Sequence, residues 1–300
     1  MLKTSLKYLS VPFLLLSTFF TAYFTIHLNY NYEYAALGMF LFASGYLLFL
    51  EHIIPLKKEW KTQRQDILTE IKYLLSVTLF DSLGKTASLW FILLIQQVHP
   101  TTDLWTKIPF IFSFIIANII GELLPYLYHR LSHVGNENSF FSLFLWKVHS
   151  IHHLPVSLNW FKTNWMHPMN MVTNTFLKYG ILMFLGFNEE IIFAVGVTHV
   201  VIAYLSHANI DVKTGVLDYI IVTPKVHQFH HSKNLDEAQN FGNILPLWDL
   251  IFGTFYIKKH VVKKVGVSKA TYNYPPHRSF LTQQIFPFYT PKNCCLSKKE

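Results

Sequence analysis

Long uninterrupted apolar runs, rather than two-residue alternation, set the hydropathy pattern of this chain. A helix needs roughly 20 apolar residues to cross the hydrocarbon core of a bilayer. Residues 10–29, 34–55, 73–98 and 108–128 each reach that length. Two further runs, 169–187 and 191–205, predict either a fifth and sixth span or a re-entrant pair. The second run ends in Glu51 and His52, and the third carries Asp81 and Lys85 one helical turn apart, where they can pair. The first run lacks a small-residue cleavage site and other spans follow it, so it reads as a retained helix.

Composition agrees with a membrane setting. Of 300 residues, 51% are hydrophobic and 14% charged, against about 25% charged in a soluble domain. The net charge of +8 comes from Lys and Arg that flank the apolar runs instead of lining an aromatic groove. This favours a membrane surface over nucleic acid as the partner. Lys3 and Lys7, then Lys57, Lys58, Lys61, Arg64 and Lys72, then Lys258, Lys259, Lys263, Lys264, Lys298 and Lys299 fall on one side of the expected topology. The alternate loops hold only Lys107, near Asp103, and the acidic pair Glu189 and Glu190. The positive-inside rule then puts both termini in the cytosol, with an even number of spans. Cys294 and Cys295 are adjacent and can staple nothing; an inert tail is favoured over palmitoylation. Beyond about Val261, Pro275, Pro276, Pro287 and Pro291 predict an irregular tail at the membrane surface. The expected division is 1–107 as N-terminal transmembrane helices, 108–257 as a catalytic domain and 258–300 as a basic cytosolic tail.

Histidine placement changes the picture most. His129-Arg-Leu-Ser-His133 follows the fourth apolar run, and His149-Ser-Ile-His152-His153 and His227-Gln-Phe-His230-His231 come later. Positions i, i+3 and i+4 share a helix face, so three faces can present these imidazoles to a common centre. Burying so many rings together is costly unless each finds a partner. Eight histidines without a cysteine are too many for one ion and lack the thiolates usual in structural zinc, so the count suits two ions with open positions. His207 ends the last apolar run at the same depth and is expected to join them. His167 is read either as a ligand or as a hydrogen-bond donor beside the ligands. His199 is assigned to core packing, and His27, His52, His99, His260 and His277 to ordinary polar roles.

The order and spacing of these residues resemble the fatty acid hydroxylase and sterol desaturase superfamily. His207-Ala-Asn209, Thr223-Pro224-Lys225-Val226-His227, Asn240-Phe241-Gly242-Asn243 and Trp248-Asp249-Leu250-Ile251-Phe252-Gly253-Thr254 are similar to its recurring blocks. The resemblance spans roughly 108–256, about half the chain. It implies an all-α, polytopic membrane helical bundle with a cytosolic histidine-rich cap holding a di-metal site. It further implies two iron ions (zinc being able to substitute in purified protein), O2 and a lipid substrate: sterol, fatty acyl, sphingoid or ether lipid, hydroxylated or desaturated. The matching ligand positions are His129, His133, His149, His152, His153, His227, His230 and His231, with His207 as a ninth. Around His167 the chain departs from the family's Arg-x-His-Pro-x-Glu, reading Asn164-Trp-Met-His167-Pro168-Met-Asn170. No fused cytochrome b5 motif is present, so electrons are expected from a separate donor such as cytochrome b5 and its reductase or a ferredoxin-like protein. The membrane would be the endoplasmic reticulum in a eukaryote and the inner membrane in a bacterium.

Support for the metal-bound rings is expected from carboxylates: Asp249 first, with Glu122, Asp211 and Asp218 as further candidates. Asn209 and Asn240 are candidates to hydrogen-bond a metal-bound water, with a turn role equally open for Asn240. Trp160, Phe161 and Trp165 are read as interfacial anchors ahead of a lining for lipid access. The competing function is a membrane metal-binding or metal-transport protein. Histidine clusters at helix ends, rather than near the bilayer midplane, argue against transport. A zinc protease lacks its His-Glu-x-x-His here, and paired axial histidines for haem would not explain three clusters.

Overall fold

The computed structural model describes residues 2–95, 104–133, 139–267 and 273–289; His99, Asp103, Pro291, Cys294, Cys295, Lys298 and Lys299 lie outside them. Helices follow in the order α1 (Leu2–His27), α2 (Tyr32–Ile53), α3 (Ile67–Ile95), the short α4 (Leu104–Lys107), α5 (Phe110–His133), α6 (Phe140–His153), α7 (Pro168–Phe184), α8 (Glu189–His207), α9 (Pro224–His230), α10 (Leu247–Phe252) and α11 (Phe280–Ile285). Side-chain caps start many of them: Asn31 accepts the Tyr34 amide, Asn188 the Ile191 amide and Thr223 the Val226 amide. Among the described residues there are no β-strands, only isolated bridges, of which Pro55 with Ile210 joins the exits of α2 and α8. The protein is an all-α, multi-pass membrane bundle.

Among the described residues, five helices, α1, α2, α3, α5 and α8, are long and apolar enough to cross a membrane. Their outer faces carry bare apolar side chains, with Leu75 66% and Phe112 58% exposed. Such continuous apolar surface suits lipid, not water. The third run keeps its charges satisfied internally: Lys85 pairs with Asp81 at 2.6 Å, and Asp81 accepts the Thr175 hydroxyl at 2.8 Å. With 17 residues, α7 measures about 26 Å, short of the roughly 30 Å core. It leaves the level of His167 and α8 returns to His207, so the pair begins and ends on one side.

That side is tied together by a few buried polar groups. Glu51, at the end of α2, accepts the backbone amides of Trp160 and Asn209, both at 2.8 Å. Lys7 of α1 pairs with Asp211 just beyond α8. Leu14, Ala43, Leu47 and Leu205 fill the space between these three helices.

Two expectations fail here. Trp160 and Trp165 are not surface anchors: both are buried, and Trp165 is fully enclosed, stacked on Tyr73 at 4.9 Å and on His277 at 4.9 Å. Nor is the C-terminal segment an irregular surface tail throughout. Residues 273–289 fold back onto the bundle, where α11 inserts the fully buried Gln283 to accept from the Trp165 indole at 3.0 Å. Phe286 is buried beside it, and Lys147 donates to the Tyr289 carbonyl at 2.5 Å. The prolines permit this return; they do not prevent packing.

Lys162 ties the same region from within. Its ammonium, 1% exposed, meets Glu70 at 2.7 Å and Asp66 at 3.4 Å and lies 4.4 Å from the Trp165 ring. Asp66 also accepts from Arg278 at 2.8 Å. Removing one partner of a buried ion pair strands the others, at a cost of about 3–5 kcal/mol. Lys162→Ala should therefore lower the unfolding temperature of detergent-purified protein markedly, read by tryptophan fluorescence. An unchanged transition would mean the pair contributes nothing.

Candidate metal centre

Helix spacing delivers the histidines as the sequence predicts. One face of α5 carries His129 and His133; the last turn of α6 carries His149, His152 and His153. His227 and His230 lie on α9, with His231 at its end, and His207 closes α8. These nine rings sort into two nests. His129, His133, His149, His153 and His230 form one; His152, His207, His227 and His231 form the other; within each, the available ligand atoms lie within 4.8 Å of one another. The nests adjoin: the His153 and His231 ring centroids are 4.5 Å apart.

Proton bookkeeping shows what the nests lack. A neutral imidazole has one N–H, and a carbonyl can only accept. His129 Nδ1 lies 2.6 Å from the Phe241 carbonyl and His230 Nδ1 lies 3.2 Å from the Gln239 carbonyl, so both Nδ1 atoms carry the proton. Yet His129 Nε2 and His230 Nε2 face each other at 3.0 Å. In the second nest, His152 Nδ1 donates to the Trp165 carbonyl (3.1 Å) and His207 Nδ1 to the Ala203 carbonyl (3.0 Å), while their Nε2 atoms stand 3.1 Å apart. In each pair two lone pairs point at one another. Protonation does not resolve this, because burial pushes His152 down to about 4. Burial first, and the neighbouring rings of His129, His133 and His152 next, likewise hold His230 well below its usual range. A shared cation does resolve it.

The spacing fits such an ion. Two nitrogens each about 2.1 Å from one metal lie about 3.0 Å apart at a right angle and about 3.4 Å apart at the tetrahedral angle. The contacts His129–His149, His129–His230, His149–His153, His207–His227 and His227–His231 are all 3.0 Å. Donors at right angles suit an octahedral, square-pyramidal or square-planar ion better than a tetrahedral one. His133 adds a buried Nε2 with no hydrogen-bond partner, and its ring lies 4.7 Å from those of His149 and His230.

A family profile described as fatty acid hydroxylase matches residues 114–254, a stretch that holds both nests. Over that stretch, just under half of the chain, the protein is similar to the fatty acid hydroxylase family. Among its relatives, the ornithine lipid hydroxylase OlsE of Rhizobium tropici is 28% identical over 73% of this chain and 66% of its own length. The alkylglycerol monooxygenases of Homo sapiens and Danio rerio are 27% and 28% identical over 43% of this chain. The match thus spans 66% of the bacterial relative and 27% of each of these two vertebrate ones. No solved structure matches the chain significantly.

The blocks that resemble the family's have other work in this chain than the expected carboxylate or water contacts. Among the described residues, the side chains that the rings lean on are not acidic: His129, His152, His207 and His230 donate to backbone carbonyls, and His149 to Asn170 Oδ1 at 3.3 Å. A neutral acceptor fixes the ring without adding buried charge. Asp249 acts one step back. It accepts the amides of Phe241 (2.7 Å) and Gly242 (2.8 Å), and so fixes the carbonyl that His129 uses. Glu122 accepts the next two amides, Asn243 and Ile244, at 2.5 and 2.9 Å. Asp218 accepts the Thr223 hydroxyl at 2.7 Å and Asp211 pairs with Lys7, both away from the rings.

Both asparagine side chains are engaged by backbone groups away from the rings. Asn209 exchanges hydrogen bonds with both backbone groups of Lys57, at 2.9 and 2.8 Å. Asn240 clamps Tyr256 and Val226 from a left-handed φ of 67°, which is the turn role. His167 stands outside both nests, accepting the Met169 amide at the start of α7 and donating to the Gln284 carbonyl at 3.0 Å. His199 lies against Lys178 in the bundle. Sequence reasoning missed Asn170, which also accepts the Tyr128 hydroxyl at 3.1 Å, and missed Glu51. The departure from Glu at position 170 was the available signal for the first.

Gly242 is the tightest point of this scaffold. A Cβ there would come 2.2 Å from the Leu245 carbonyl oxygen and 2.9 Å from Asp249 Oδ2. Gly242→Ala must therefore push the loop off Asp249, with an overpacking cost of about 1–3 kcal/mol. The expected readout is a lowered unfolding temperature in detergent, with wild-type stability refuting this account of the loop.

Proposed function

We propose that this chain is a membrane-bound oxygenase that inserts one atom of O2 into a C–H bond of a polar membrane lipid at a two-iron centre. The observation that carries the reading is the pair of nests with facing, unprotonated Nε2 atoms 3.0 and 3.1 Å apart. His129, His133, His149, His153 and His230 would hold one iron; His152, His207, His227 and His231 the other. Iron bound there would supply the redox chemistry with O2 that cleavage of an unactivated C–H bond requires. The balance is R–H plus O2, two electrons and two protons to R–OH plus water, the electrons coming from a separate protein donor.

The chain's own residues prepare the site. Carbonyls of Phe241, Gln239, Trp165 and Ala203 hold four rings in one tautomer, and burial keeps the clusters neutral and so able to ligate. The nests lie where α5 and α8 end, so an apolar chain can reach them from the membrane while a head group stays near water. The relatives' names support hydroxylation over desaturation, and a lipid with a polar head over a sterol. Charge asymmetry supports a cytosolic placement of the nests, with residues 108–257 as the catalytic part.

Elemental analysis of protein purified with iron should give about two ions per chain by the ligand count. His152→Ala together with His207→Ala should reduce this to about one, on the same count. Retention of both ions would refute the assignment. Lipid extracts from cells supplied with 18O2 should contain a hydroxylated lipid carrying the label. His230→Ala should abolish it while the protein still inserts. Undiminished product from that variant would remove the nests from the chemistry.

A further inference from the structure

The stretch 240–257 contains no Lys, Arg or His and one acidic residue, Asp249, with Lys258 and Lys259 directly after it. It is too short and too broken by Pro246 and Gly253 to read as a span. Its partners on α5 nevertheless move steadily along that helix. The Phe241 carbonyl meets His129, the amides of Asn243 and Ile244 meet Glu122, and the Trp248 indole donates to the Ile119 carbonyl at 3.1 Å. The path then reverses: Phe252 stacks on Tyr126 at 5.5 Å, and Thr254 meets the Tyr126 hydroxyl at 2.8 Å. From His129 to Ile119 the descent is about 15 Å at the helical rise per residue. Ile119 lies near the middle of a helix apolar enough to cross the membrane.

We propose that residues 240–257 form a re-entrant element, dipping into the apolar layer beside α5 and returning, with Leu250, Ile251 and Phe252 of α10 touching lipid acyl chains. Irregular backbone survives at membrane depth only where its polar groups are satisfied within the protein. The two limbs of the element, 240–244 and 253–256, are accounted for in this way. Asp249 takes the amides of 241 and 242, Glu122 those of 243 and 244, and the Ile244 carbonyl accepts from Val222 at 2.8 Å. Asn240 donates its own amide to Thr254 and binds Val226 and Tyr256 through its side chain. Gly253, at φ 72°, closes α10 with its amide on the Asp249 carbonyl.

Water would satisfy those amides without two buried carboxylates, so a location in water leaves Asp249 and Glu122 with only the bracing of the His129 carbonyl to do. It would also leave three consecutive large apolar residues bare, Leu250 at 43%, Ile251 at 58% and Phe252 at 43% exposure. Phe252 stacks on Tyr126, so this exposed face lies beside α5. The occupant is therefore lipid hydrocarbon, and the element forms a lip beside the nest whose His129 it orients. The inference rests on the multi-pass reading and is independent of the oxygenase reading.

Nitroxide accessibility tests it. With Cys294 and Cys295 changed to Ser, single Ile251→Cys and Leu250→Cys variants are spin-labelled and reconstituted in phosphatidylcholine–phosphatidylglycerol vesicles. Power saturation then compares O2, which concentrates in hydrocarbon, with the water-soluble nickel chelate NiEDDA. Phe112→Cys on α5 marks the lipid face and Lys259→Cys the aqueous side. Labels at 250 and 251 should match Phe112→Cys, relaxed by O2 and shielded from NiEDDA. If both match Lys259→Cys instead, the re-entrant element is refuted. If Phe112→Cys is itself open to NiEDDA, the membrane assignment of α5 fails and this inference falls with it. Because both residues point outward, labelling them should leave the fold intact, confirmed by an unfolding transition matching wild type.

Discussion

Each neutral imidazole has a single N–H to give, and that limit organises this protein. Once a backbone carbonyl takes the Nδ1 proton, Nε2 is a bare lone pair, and two such atoms at 3.0 Å repel unless something positive lies between them. Four of the nine clustered rings are fixed this way, on carbonyls from three separate segments: Gln239 and Phe241 in one loop, Trp165 and Ala203. The nests are thus an arrangement that the polypeptide alone would not favour. Its cost must be met by packing elsewhere, which explains why so much of the structure serves to hold these carbonyls still.

The supports share one device: a buried carboxylate gripping backbone amides in pairs. Asp249 holds 241 and 242, Glu122 holds 243 and 244, and Glu51 holds 160 and 209. Two amides on one buried carboxyl group fix two successive or facing peptide units at once, and in a low-dielectric interior each such bond is strengthened. Direct contact between these carboxylates and the rings would have placed charge against neutral donors meant to stay neutral. Placing them one hydrogen bond away keeps their stiffness and spares the nests their field. Lys162, set between Asp66 and Glu70 under Trp165, does the same for the carbonyl that His152 uses.

What the sequence made legible was local. Spacings of three and four residues put His149, His152 and His153 on one face, and apolar runs marked the spans, because both signals need only one helix. The supports were opaque because they cross long distances in the chain: His129 to Phe241, Glu122 to Asn243, Trp165 to Gln283. Asn209 and Asn240 suggest hydrogen bonds to a metal-bound water, or for Asn240 a turn; their amides serve backbone 57 and 256, and for Asn240 the turn is what forms. The segment at 273–289 looked irregular from its prolines, but one glutamine, Gln283, anchors it in the core. Residues 240–257 escaped notice as a membrane element because periodicity cannot describe a chain that turns back within the bilayer.

That last segment joins the two demands on the molecule. On the proposed function, the protein must expose apolar surface to its substrate and still keep its imidazoles within about 0.5 Å of their places. A loop meeting both demands has to be soft toward lipid and rigid toward metal, and 240–257 is built with that polarity. Its outer face is Leu250, Ile251 and Phe252, free of hydrogen bonds to the rest of the fold through their side chains. Its inner face is a run of amides locked on Asp249 and Glu122, ending in the carbonyl that sets His129. Gly242 is what lets the two faces coexist, since any side chain there would separate the amides from Asp249 and release the ring.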